Sequence, residues 1–244
     1  MRKAMAIIQA SLGLLLSSCQ GQAADDLNPV TLHPAPKHAP VVLVKDGEAV
    51  GGIRLMTPEP SRRLRAAVRD LGLHIESATG AKLPVDKAGE AEGPAILVGA
   101  CDAAAAIGLD AVGLPKEGFA IKTAPGAVHI VGHDDHGTTW GVYEFLERFV
   151  GVRWYWPEDR KSEELLGTSV PARTDLVLQP VWLTDAPVFR KREIWPSGGP
   201  RVAPADVGVL HRRLRSADTW PVKLIVHAPR SEERRVGKEC ATGC

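Results

Sequence analysis

Cysteine is scarce in this 244-residue chain, which has only four, at Cys19, Cys101, Cys240 and Cys244. Between Cys19 and Cys240 only Cys101 occurs, so no intrachain disulfide is expected and the fold must be held by an apolar core. Charge of one sign is also missing. Thirty Lys and Arg stand against 29 Asp and Glu, which gives neither a basic field to attract nucleic acid nor an acidic one to mimic it, and no nucleic-acid partner is expected. Long apolar runs are absent too. The best of them, "AMAIIQASLGLLL", is too short to span a bilayer.

That short run has a different use. It follows Arg2 and Lys3 and ends in Ser17 and Ser18 before Cys19, the pattern of an export segment over residues 1–18. "LSSC" resembles the bacterial lipobox, in which the Cys becomes the acylated first residue. Cys19 is therefore the expected lipid-attachment site, and the expected location is the periplasmic or surface side of a bacterial membrane, tethered without spanning it. Cleavage near "GQAA", giving a secreted or periplasmic protein, is the alternative. At the other end "RSEERRVGKEC" is charged and aperiodic, and it resembles the translation of a sequencing-library adapter. Residues 230–244 are read as an artefactual tail, and the native chain is expected to continue past Pro229.

Between the ends, residues 19–40 read as a Pro- and His-containing linker. "VVLVKDGEAVGGIRLM" has two apolar runs about Asp46-Gly47, a hairpin signal. Leu64, Val68, Leu71 and Ile75 recur at helical spacing between an N-cap at Ser61 and a stop at Gly80. "AKLPV" reads as a short edge strand and "PAILVGA" as a buried one. "GFAIKTAPGAVHIVGHD" gives two strands about Pro125-Gly126. Cys101 opens "CDAAAAIGL" and reads as a small, partly buried residue.

The stretch "HDDHGTTWGVYEFLERFVGVRWYWP" poses the chemical question. Val142, Phe145, Leu146 and Phe149 form one apolar helical face, Glu144 and Arg148 an exposed i,i+4 pair, and Gly151 the stop. "VRWYWP" alternates Val152, Trp154 and Trp156 against Arg153 and Tyr155, as a strand does. A helical zinc site needs two histidines on one face, whereas His133 and His136 precede the helix. The aspartates beside them suit a helix start. No metal and no cofactor are expected.

"TGAKLPV", "ILVG", "EGFAI" and the run from Val128 to Pro157 together resemble the N-terminal domain of a bacterial carbohydrate-active family related to α-glucuronidases and β-hexosaminidases. Gly137, Trp140, Gly141, Val142, Tyr143, Phe145 and Leu146 carry the resemblance, which covers residues from about 41 to 175. It implies a small domain, without the catalytic carboxylates, ahead of a (β/α)8 barrel. The elements agree with an α+β class: a mixed sheet with two helices on one face, followed by the first βαβ unit of an incomplete (β/α)8 barrel.

That unit lies in residues 187–229, as strand "PVFRKREIW", helix "PADVGVLHRRLRS" and strand "PVKLIVHA". A complete barrel takes about 250 residues. Sites in barrels sit at the C-terminal ends of strands, so Arg192, Glu193 and His227 are the candidate substrate-binding residues, Arg192 through a fork onto a sugar. The catalytic pair that glycoside hydrolysis requires is expected beyond the truncation. The expected protein is the N-terminal fragment of an exported glycoside hydrolase-like protein, with a polysaccharide or oligosaccharide as substrate, and inactive as it stands. The alternative is a noncatalytic carbohydrate-binding or scaffold module, with Trp154, Tyr155 and Trp156 as a stacking platform.

Overall fold

The computed structural model describes residues 27–87, 93–155, 167–189, 192 and 204–216. Its strands are β1 (Thr31–Leu32), β2 (Val41–Lys45), β3 (Glu48–Ala49), β4 (Gly52–Leu55), β5 (Val85–Lys87), β6 (Ala95–Val98), β7 (Phe119–Ala124), β8 (Ala127–Gly132), β9 (Arg153–Trp154), β10 (Thr168–Ser169), β11 (Leu176–Leu178) and β12 (Trp182–Asp185). Its helices are α1 (Arg62–Thr79), α2 (Asp102–Ala106), α3 (Asp135–Phe145), which runs on into a π-helical turn over Leu146–Val150, and α4 (Pro204–Arg213).

Seven strands form a mixed sheet in the order β1-β12-β7-β8-β6-β4-β5. β5, β4, β6 and β8 run parallel, and β7, β12 and β1 are joined antiparallel. The all-apolar β6 is buried along its whole length, as a central parallel strand covered on both faces should be. Helices α1 and α3 pack side by side on one face of this sheet. The expected α+β class and its two-helix layer are therefore present.

The helix signals operate as read. Ser61 Oγ accepts the Leu64 N–H at 3.2 Å, and Gly80 and Gly151 close their helices in the left-handed region. Leu64, Val68, Leu71 and Ile75 all lie in the core. Two strand expectations change. The hairpin about Asp46 and Gly47, both at positive φ, closes only β2 on β3. The second apolar run instead enters the large sheet as β4, where its neighbours are parallel. The edge strand expected over "AKLPV" sits later, at Val85–Lys87.

Strands also lie beyond the expected segment boundaries. Within residues 19–40, Thr31–Leu32 is an edge strand on β12. Past residue 175, β11 pairs with β2 and β12 with β7. Of the expected βαβ unit, α4 is described. Residues 187–189 show no strand, the rest of "PVFRKREIW" apart from Arg192 lies outside the described residues, and "PVKLIVHA" lies wholly outside them.

The motif glycines have a packing reason. A Cβ on Gly141 would sit 2.7 Å from Ile130 Cγ2 on β8, and one on Gly137 would sit 2.2 Å from the Gly118 carbonyl oxygen. α3 thus rests on the sheet at backbone distance. Its other side buries Tyr143, Phe145 and Leu146.

Candidate functional site

The polar start of α3 is consumed by helix geometry. Asp134 Oδ1 accepts the Gly137 N–H at 2.8 Å, the bond an N-cap makes. Asp135 Oδ2 accepts the Ser61 N–H at 2.7 Å, which ties the starts of α1 and α3 together. His133 is exposed, and His136 lies against Trp140 with ring centroids 6.3 Å apart. His136, expected to precede the helix, already belongs to it, as do Gly137, Thr138 and Thr139. Cys101 caps α2 without a side-chain hydrogen bond and is partly buried.

The aromatic platform changes character. Trp154 is only 5% exposed, and Tyr143 meets it edge-on at 5.5 Å. Tyr155 is 66% exposed, and Trp156 lies outside the described residues. A stacking surface built on Trp154 is therefore not available, because the pleat turns that ring into the core.

Charged chemistry concentrates where α4 meets the helix layer. Glu144, expected to be exposed, is 1% exposed, because the apolar run around it is buried on nearly every side. Its Oε1 accepts Arg148 Nε at 2.6 Å and its Oε2 accepts Arg215 Nη1 at 2.5 Å. Arg215 also reaches Glu147 Oε2 at 2.9 Å. Burial pushes the Glu147 carboxyl above its ordinary range, outweighing the pull of Arg215, with Glu144 adding to the rise. The Tyr143 hydroxyl donates to Asp70 Oδ2 at 2.8 Å. Burial, and then the Asp70 charge, push that hydroxyl well above its ordinary value, so it stays a donor. Arg213 Nε lies 3.6 Å from Asp70 Oδ2, and Arg212 Nε lies 3.5 Å from the Tyr143 oxygen.

Arg192 joins this junction. Its guanidinium meets Glu117 Oε2 at 3.0 Å and lies 4.5 Å from the Trp140 ring centroid. Its Nε donates to the Arg215 carbonyl at 3.1 Å, and its Nη1 donates to the Phe189 carbonyl. Of the other expected site residues, Cys19, Glu193 and His227 lie outside the described residues. Asp70, Glu144 and Glu147 each face a guanidinium, so their charge is matched by arginine and they do not form an open set of oxygen ligands. Chemically the arrangement holds two pieces of chain together.

Sequence reasoning missed Asp70, Glu144, Glu147, Arg213 and Arg215 as a group. The signal was present: Glu144 and Glu147 lie i,i+3 inside the apolar run "VYEFLERFV", and the arginines follow in "HRRLR". A carboxylate on a face that must be buried requires a cation from elsewhere.

Residues 52–145 match the family described as Glycosyl hydrolase family 67 N-terminus. No curated protein matches the chain. Among solved structures it is similar to Streptomyces plicatus N-acetyl-β-hexosaminidase, at 19% identity over 67% of this chain and 26% of that one, with a TM-score of 0.41. It is also similar to a family GH115 4-O-methyl-α-glucuronidase with specificity for decorated arabinogalactans, at 18% identity, 72% and 25% coverage and a TM-score of 0.47. A third is the Vibrio harveyi GH20 exo-β-N-acetylglucosaminidase, at 12% identity, 68% and 19% coverage and a TM-score of 0.40. The chain thus spans about a quarter or less of the length of these proteins. The matched residues include β4, α1, β6 and the α3 motif. On that match, this chain carries a glycoside hydrolase-related N-terminal domain.

Proposed function

We propose that this domain is the accessory part of an exported, lipid-anchored glycoside hydrolase-like protein, and that it seats a (β/α)8 catalytic barrel beginning near residue 187. The observation that carries this reading is the junction. The arginines of the α4 segment reach into buried carboxylates on the helix layer, and a carboxylate as buried as Glu144 stays charged only when such a partner is built in. The substrate class is a polysaccharide or oligosaccharide. Arg192, Glu193 and His227 are its candidate contacts on the barrel segment, and the acid and base would come later in the chain.

The test is turnover. The purified 244-residue chain should hydrolyse no aryl glycoside, while a chain extended by the genomic sequence past Pro229 should. Turnover by the 244-residue chain would overturn the accessory role. Limited proteolysis gives an independent check. The α4 segment is tied to the helix layer as far as Arg215, so a resistant core should extend through that residue, and a core ending inside or directly after β12 (Trp182–Asp185) would contradict the reading.

A further inference from the structure

The sheet face away from α1 and α3 has its own construction. Strand alternation places Trp182 and Thr184 on this outer face, while Leu183 enters the core. Asp185 Oδ1 accepts the Ala186 N–H at 2.8 Å, and Asp185 also borders a cavity on this face. The cavity, of about 620 Å³, lies between residues 108–115 and the strands β12 and β1 at one side of the sheet. Thr31, His33, Asp110, Trp182, Thr184 and Val188 contribute to its lining. The volume falls within the roughly 300–1,000 Å³ of small-molecule sites.

Its polar groups are fixed in place. His33 Nε2 is 2.9 Å from Thr184 Oγ1, and the His33 ring stacks on Trp182 at 4.4 Å. The Lys122 ammonium lies 4.0 Å from the centroid of Trp182 and donates to the Ile107 carbonyl at 2.5 Å. The indole is thereby held between two strands. Asp110 uses Oδ1 to accept the Val112 N–H at 2.9 Å. A Cβ on Gly113 would come within 3.3 Å of the other oxygen, Oδ2, so glycine keeps that oxygen clear.

We propose that this outer-face cavity binds a neutral saccharide unit. Hydroxyls, an imidazole and the Asp110 and Asp185 carboxylates around aliphatic carbons and the edge of an indole match a pyranose, which alternates hydroxyl donors and acceptors over apolar C–H surface. Among the described residues the lining contains no arginine or lysine, and the nearby Lys122 ammonium is engaged by the Ile107 carbonyl, so no fork is offered there to a uronate carboxylate or a phosphate. The site is independent of the barrel-seating role, because it lies on the opposite face of the sheet.

The test titrates the full 244-residue chain with xylobiose, chitobiose and glucuronic acid, followed by tryptophan fluorescence and calorimetry. Saturable binding of a neutral disaccharide is expected, weakened about tenfold or more by Asp110→Asn and by Thr184→Val, each replacing one hydrogen-bonding group. His133→Ala, exposed at the start of α3 and outside the cavity lining, should bind as wild type does. Thermal melts show whether each variant is folded. Asp110 lies on the exposed lip, so Asp110→Asn stays informative if Thr184→Val does not fold. Lack of saturation by either neutral disaccharide up to about 10 mM, preference for glucuronic acid, or binding indifferent to Asp110→Asn would each overturn the proposal.

Discussion

Replacing Glu144 by Gln tests the junction at its most buried point. The side chain is 1% exposed and faces two guanidiniums, Arg148 at 2.6 Å and Arg215 at 2.5 Å. Removing one member of a buried pair costs about 3 to 5 kcal/mol, since it strands the other charge. Here the stranded charges are softened. Arg148 and Arg215 are 16% and 15% exposed, Arg148 keeps the Asn28 carbonyl at 2.9 Å, and Arg215 keeps Glu147. The lower end, about 3 kcal/mol, is therefore expected. Urea unfolding should read this as a shifted midpoint at constant slope. Glu147→Gln supplies the contrast. Its carboxyl is already pushed up by burial, so neutralising it should change stability by less than about 1 kcal/mol. A Glu144→Gln loss below about 1 kcal/mol, the value of an exposed pair, would refute the reasoning. So would a larger loss for Glu147→Gln.

Phe145 is fully buried, and Phe145→Ala should cost about 3 to 5 kcal/mol while His133→Ala costs under about 0.5 kcal/mol; thermal melts that reverse this order would give the polar cluster a structural role. Gly137→Ala forces a Cβ to 2.2 Å from a backbone oxygen and should exceed the roughly 1 to 3 kcal/mol of ordinary overpacking, measured by the same unfolding curves. Burial and then Lys122 lower the His129 imidazole below its ordinary 6.5, so the unfolded chain takes up the proton first. Stability should fall as pH drops through about 6.5, and His129→Leu should remove that part of the slope; an unchanged slope would show that other groups produce it. Fatty-acid labelling in a bacterial host should mark the wild-type chain and not Cys19→Ala, and equal labelling would end the lipid-anchor expectation.

Local signals that act within a few residues were legible. Ser61 and Gly80 bracket α1 because caps and left-handed stops are chemical properties of single residues. The helix-start role of Asp134 could be read for the same reason. The features that could not be read depend on distant partners. Glu144 looks like half of a solvent-exposed i,i+4 pair until Arg215, 71 residues away, covers its other oxygen. Trp154 looks like one face of a platform until α3 places Tyr143 against it. Parallel pairing was likewise hidden, since the run after Asp46-Gly47 has the same apolar content whether it completes a hairpin or leaves for another sheet. Trp182 and His33 meet across strands more than 100 residues apart in sequence, and neither position carries a local pattern that would join them.

Backbone strain marks the same junction that the ion pairs do. Apart from Asp46 in its turn, the non-glycine residues at positive φ among the described residues are Glu117 at 62° and Arg215 at 56°. Such conformations cost on the order of 1 kcal/mol or more and persist where surrounding contacts over-determine them. Both are contacts of Arg192, which pairs with the Glu117 carboxylate and donates to the Arg215 carbonyl. Arg215 in turn places its guanidinium between Glu144 and Glu147. One arginine thus bridges two strained residues, one preceding β7 and one beyond α4, and the second of these inserts into the helix layer. A merely tethered segment would give no reason for either residue to leave its relaxed conformation. The coincidence of strain, burial and paired charge therefore argues that Arg192 and the α4 segment up to Ser216 are held in a fixed register against α3, the arrangement that the proposed seating of a barrel requires.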